Sequence, residues 1–123
     1  MVEAAGMDHI KVAAAEFQAG IYELKIEGSL DWTNFSKVEF ALDEIFKKGC
    51  FRIVVNLKGA RYISSAGFGC FIGSLDTAMK NNGDLIFACT PPEIQDVFNI
   101  LGLSKILRFS ETVPAAVELL AKK

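Results

Sequence analysis

Ser64 and Ser65 stand together in RYISSAGFGCFIG, Arg61 to Gly73, and are followed by Gly67, Gly69 and Gly73. Adjacent serines and spaced glycines have three chemical uses: cradling a dinucleotide, supplying a serine nucleophile, or opening a helix whose free N–H groups hold an oxygen acceptor. The dinucleotide use requires GxGxxG directly after a strand and an acidic residue at the end of the next strand. Here the spacing is GxGxxxG, the preceding strand is expected to end at Leu57, about ten residues before Gly67, and DLIFAC begins rather than ends with its acid, Asp84. The phosphate-cradling pattern GxxxxGK[ST] does not occur. A hydrolytic serine fares no better, because GxSxG is missing around both serines and His9 is the only imidazole in the chain.

The third use remains. Ser64 or Ser65 is placed to cap the helix that carries Phe68 and Ile72. Such a cap is an ordinary structural feature, but the same helix end also suits a phosphoserine, whose nearly two negative charges meet the positive end of the helix dipole. Gly69 and Gly73, one turn apart, leave a bare strip on that helix. Each glycine costs a helix up to about 1 kcal/mol relative to alanine, so either the sheet or a partner protein is expected to come close to it.

The elements that must position these residues follow from hydrophobic period. IKVAAAEF and IYELKIEG alternate around QAG and predict a β-hairpin. Phe35, Val38, Leu42 and Ile45 make one stripe of a helix starting at Asp31 or Thr33 and stopping at Gly49. FRIVVNL, Phe51 to Leu57, predicts a strand buried on both faces, followed by a turn at KGARY. Phe68, Ile72, Leu75 and Met79 predict the inward stripe of the second helix, which ends near Asn81 to Gly83; DLIFAC predicts another buried strand. TPPE has the form of a capping box, with Thr90 as cap, Pro91 at the first helical position and Glu93 reaching back. Ile94, Val97, Phe98 and Leu101 line that third helix, and Gly102 closes it. KILRF predicts a last strand and SETVPAAVELLAKK a last helix with Val113, Ala116, Val117 and Leu120 inward. The order β-β-α-β-α-β-α-β-α requires crossovers, hence a mixed α/β sheet that is largely parallel after its N-terminal hairpin.

Composition narrows the class. A length of 123 residues suits one domain, with a core at about 10–121 and residues 1–8 outside it. Thirteen basic against fifteen acidic residues, with neither sign in a block, argue against a nucleic-acid partner. Cys50, Cys70 and Cys89 are separated and set among apolar neighbours, as reduced core thiols of a cytoplasmic protein are; with no CxxC pair and one histidine, neither a metal site nor a cofactor is expected. The first twenty residues lack the pattern of a signal peptide, and no apolar run reaches the ~18 residues of a membrane span, so no direct membrane insertion is expected.

GSLD (Gly28 to Asp31), IVVNLKGARYISSAGFG (Ile53 to Gly69) and PPEIQDVFNILGLSKILRF (Pro91 to Phe109) resemble, in order and spacing, the STAS domain of bacterial anti-sigma-factor antagonists. The resemblance runs over nearly the whole chain and implies a STAS-type sheet with helices packed mainly on one side. In that family D-S-[ST]-G opens the second helix, and its serine is phosphorylated by an anti-sigma factor that is a serine kinase using ATP and Mg²⁺. Aligned on Gly67, that serine is Ser65; Ala66 takes the [ST] position, Ser64 stands where the antagonists usually carry aspartate, and Asp31 matches the acid near the phosphosite. The implied function is non-enzymatic: partner switching in transcription regulation. The unmodified domain would bind the kinase, phosphate on Ser65 would release it, and a PP2C-type phosphatase would reset the switch. Gly69, Gly73 and Trp32 are then expected at the partner interface, with Phe68 or Phe71 as anchors unless they pack in the core. Two alternatives stay open: a STAS scaffold or subunit of a signalling or lipid-transport complex with no phospho-switch, and a small-molecule binder resting on the glycines alone.

Overall fold

The computed structural model describes residues 10–123; His9 and the segment 1–8 expected outside the core lie outside the described residues. Strand β1, Ile10–Gln18, turns at Gly20 into β2, Ile21–Leu30, and the two pair antiparallel. Helix α1, Phe35–Lys47, leads to β3, Arg52–Ile63, which lies parallel to β2. Helix α2, Ser65–Lys80, is followed by β4, Asp84–Ala88; α3, Pro92–Ile100, and a short 3₁₀ turn at Leu103–Lys105 lead to β5, Arg108–Ser110, and α4, Val113–Ala121, ends the fold. The sheet order is β1-β2-β3-β4-β5, with every pair after the hairpin parallel.

Strand alternation divides the core. Leu24, Ile53, Val55 and Leu57 point to one face with Leu85 and Phe87, where Val38, Leu42 and Ile45 of α1, Phe68, Phe71 and Leu75 of α2, and Ile94 and Phe98 of α3 cover them. Ile21, Val54, Ile86 and Ala88 point the other way and take Ala116, Val117 and Leu120 of α4. Three helices on one face and one on the other match the expected one-sided packing. Asp84, 3% exposed, receives Arg108 Nη1 at 2.8 Å and lies 3.7 Å from Lys123 Nζ, joining β4, β5 and the C-terminal residues. The cysteines are free thiols. Burial, reinforced by the charges of Glu39 and Asp43, pushes the Cys70 thiol up to about 11.

Several expectations are corrected. KGARY is not a turn: β3 continues through it to Ile63, because Gly59, Ala60, Tyr62 and Ile63 pair with Glu27, Gly28, Ser29 and Leu30. Register shifts beside Glu27 and between Gly28 and Ser29, with Gly28 at φ 102°, let the long strands stay paired. The strand therefore stops one residue before α2, not ten residues before Gly67. Helix α1 starts at Phe35, not at Asp31 or Thr33. In α2, Ile72 and Met79 are exposed whereas Phe71 and Ala78 are fully buried, since the helix also rests on β4, where Phe71 meets Phe87 edge-on at 5.0 Å. In α3 the inward residues are Ile94 and Phe98, with Val97 and Leu101 exposed. Thr90 makes no cap: Pro91 holds the cap position and Pro92 the first helical one, and two prolines leave fewer N–H groups for a capping box to satisfy. Lys105, Ile106 and Leu107 fall outside β5.

The glycines separate structural need from open space. A Cβ on Gly83 would collide with the Phe51 carbonyl, whereas on Gly69 or Gly73 it would meet nothing within 4 Å. Urea denaturation should therefore show Gly83→Ala losing about 2–4 kcal/mol and Gly69→Ala and Gly73→Ala each gaining about 0.5–1 kcal/mol.

Candidate functional site

The end of β3 and the start of α2 set the site. Ser64, extended at φ −87°, takes the cap position and its backbone N–H donates to Leu30 O at 2.8 Å, while its carbonyl accepts the first helical bond from Phe68 N at 3.0 Å. Its side chain does not act as the expected cap: the Ser64 hydroxyl is buried and makes no hydrogen bond among the described residues. The following residue, Ser65, is exposed, in the first turn where backbone N–H groups have no helical acceptor. Ala66 is half-buried beside it. Gly67 is buried because the helix start rests directly on β2 and β3; an added Cβ would lie 2.9 Å from Leu30 Cγ and from Ile63 Cγ2.

The bond to Leu30 also places Asp31 next to this turn. The Asp31 carboxylate accepts the Thr33 hydroxyl at 2.5 Å and the Thr33 N–H at 2.9 Å, and these bonds, the hydroxyl foremost, hold its pKa below the ordinary carboxylate value. Buried Asn34 closes the loop by accepting the Asp31 N–H at 2.9 Å and donating to Ser29 O at 2.8 Å. Within this bracing Trp32 is 76% exposed. Asp31 and Trp32 thus follow directly on Leu30, whose carbonyl is bound to the Ser64 N–H at the helix start.

Exposed Ser65, Gly69, Ile72 and Gly73 run along the outer side of α2. The sheet does not approach the glycine strip, which removes one of its two expected uses. Phe68 and Phe71 are core residues rather than anchors, and Phe68 packs edge-on against Phe98 at 4.9 Å. Beside the strip lies a groove of about 350 Å³ between α2 and α3, with Ser64 and Ser65 on one wall and Ile94, Val97 and Leu101 on the other. Tyr62, 55% exposed, also lines it. Sequence reasoning assigned Val97 and Leu101 to the core along with Ile94; the available signal was that Ile94, Val97, Phe98, Ile100 and Leu101 are more apolar positions than one inward stripe can use. Asn34 was missed as well, though DWTN offers side-chain oxygens at the spacing of local backbone caps.

Among the described residues, no helix is long and apolar enough to cross a membrane, and no group of three or more His, Cys, Asp or Glu is placed to hold a metal ion. The sheet order, with three helices on one face and one on the other, sets the serine turn at the head of α2 beside the carboxyl ends of β2 and β3. The STAS domain family model matches residues 12–116, and the chain belongs to that family. An anti-sigma-B factor antagonist of Staphylococcus aureus is 31% identical over 94 residues, covering 76% of this chain and 87% of that protein. The fold is shared with an anti-sigma factor antagonist from Mycobacterium paratuberculosis, at TM-score 0.83 and 17% identity over 93% of this chain and 96% of the other. It is also shared with the phosphorylated form of the Bacillus cell fate determinant SpoIIAA, at TM-score 0.69 and 17% identity over 88% of this chain and 97% of the other. The relatives, anti-sigma factor antagonists, are binding proteins and not enzymes, and the hydrolase reading ends there.

Loss of the Asn34 side chain would orphan the Asp31 N–H and the Ser29 carbonyl. Asn34→Ala should cost about 1–3 kcal/mol in chemical denaturation and change Trp32 fluorescence, while Thr33→Val, at an exposed position, should cost about 1 kcal/mol or less.

Proposed function

We propose that the protein is an anti-sigma-factor antagonist working by phosphorylation-controlled partner switching. With Ser65 unmodified it binds a kinase-type anti-sigma factor through the outer side of α2 and the Asp31–Trp32 turn, so that the factor releases its sigma factor. The observation that carries this reading is the exposed Ser65 hydroxyl in the first turn of α2, next to a glycine strip that nothing among the described residues covers. A kinase can reach this hydroxyl without unfolding the domain, and the product phosphate would lie beside free helical N–H groups that favour anions. Gly69 and Gly73 allow a partner backbone to approach, and Trp32 offers a large apolar anchor. Phosphate on Ser65 would put close to two negative charges in the centre of this contact, near Asp31, weakening the complex by about 3 kcal/mol or more, roughly a hundredfold. A PP2C-type phosphatase would then restore binding.

A second reading, a STAS scaffold or complex subunit without the switch, is favoured by one observation: Ser64 rather than aspartate precedes Ser65. Incubation with the cognate kinase, ATP and Mg²⁺ separates the two. The switch requires one phosphate, mapped by mass spectrometry to Ser65, with Ser65→Ala retaining the partner and Ser65→Asp losing it by calorimetry. Equal binding of Ser65→Ala and Ser65→Asp would sink the switch and leave the scaffold.

A further inference from the structure

Strand β1 is the edge of the sheet, nine residues long, paired with β2 on one side only among the described residues. A long edge is a template for another strand, and natural edges are normally blunted by bulges, prolines or inward charges. This one carries Ala13, Ala14 and Ala15 in its middle, all exposed, with Phe17 also exposed. Its single irregularity falls at the C-terminal end, between Glu16 and Gln18. Behind the edge lies a wide groove of about 990 Å³ between β1 and α1, lined by Val12, Ala14, Lys37, Phe40, Ala41 and Glu44 among others. Phe40, in the middle of α1, is 66% exposed at this groove.

The charges on α1 say what fits. Lys37 and Glu44 lie symmetrically about Phe40 and Ala41 along the helix, and both line the groove. When a second α1 runs antiparallel to the first about a two-fold axis between Phe40 and Ala41, Lys37 of each copy faces Glu44 of the other and Phe40 packs on Ala41. Glu44 has only an exposed bond to Lys47 at 3.4 Å to give up. The strand accepts the same operation: a two-fold axis at Ala14 pairs Ala14 with itself, Ala13 with Ala15 and Val12 with Glu16, with no like charges opposed and each side chain kept on its own face. Pairing at the usual spacing of about 4.8 Å brings the two α1 helices side by side, because each packs over β1 and β2 of its own chain.

We infer that the β1 edge and the outer side of α1 are a homodimer interface, in which a second copy of this chain adds its β1 antiparallel to the first and closes the groove with Phe40. The surface shares no lining residue with the groove beside Ser65, so the inference stands apart from the proposed switch. Sedimentation analysis of the full chain tests it. The wild-type protein should show a concentration-dependent monomer–dimer equilibrium. Phe40→Glu should weaken it by about tenfold or more. Lys37→Glu, which opposes like charges twice per dimer, should also weaken it, and the double exchange Lys37→Glu with Glu44→Lys should return it to within about threefold of wild type. Circular dichroism should show all variants folded, since these side chains lie at the surface. A wild-type protein that stays monomeric at millimolar concentration overturns the inference, as does a dimer indifferent to Phe40→Glu or a double exchange that fails to restore association. Nuclear Overhauser contacts placing residues 1–9 in the groove of a monomer would also overturn it.

Discussion

The parallel pairing of β2 with β3, carried to the ends of both strands, is the constraint on which the candidate site depends. Leu30 pairs with Ile63, and the Ser64 N–H is bound to the Leu30 carbonyl. One register therefore fixes both where β2 gives way to the Asp31 turn and where β3 gives way to α2. Gly67 completes the junction, because only a residue without Cβ lets the helix start lie against Leu30 and Ile63. The sheet order that follows puts the carboxyl ends of β2 and β3 side by side, the usual position of functional groups in parallel α/β sheets.

From that junction the chemistry is local. The core face of α2 is closely filled, with Phe68, Phe71, Phe87 and Phe98 in edge-on or tilted aromatic contacts, while the outer side of its first half, Ser65 to Gly73, presents serine, glycine and one half-exposed isoleucine. A helix so strongly anchored on one side tolerates two glycines on the other, whose cost is small beside the aromatic burial. Open space, free helical N–H groups and an exposed hydroxyl coincide at Ser65 for that reason. The Asp31 charge is held in place within its own turn by Thr33 and Asn34.

Much of the fold was legible in the chain. The element order, the hairpin, the ends of α1 and α3 at glycines, and the buried strands at Ile53 and Leu85 follow from period and turn chemistry. The misread parts share a cause. KGARY reads as a turn because Lys58, Gly59 and Arg61 disfavour an isolated strand, yet a partner strand of matching length holds it extended. Ile72 and Met79 satisfy a helical period as well as Phe71 and Ala78 do, and packing on β4 selected the second pair. The capping box at Thr90 was sound as a pattern, but successive prolines changed which N–H groups were there to be capped.

The sequence by itself determined the STAS family and the serine at the head of the second helix, because these rest on residue type at fixed spacing. Only the tertiary structure decided that the Ser64 hydroxyl is turned inward while Ser65 stays in solvent, that Trp32 is presented rather than buried, and that the glycine strip faces open space. It also decided that β1, among the described residues, is an edge paired on one side only, beside an exposed Phe40. Burial is a property of what packs against a residue, and period along one chain gives the face a side chain occupies only after the neighbouring elements have taken their places.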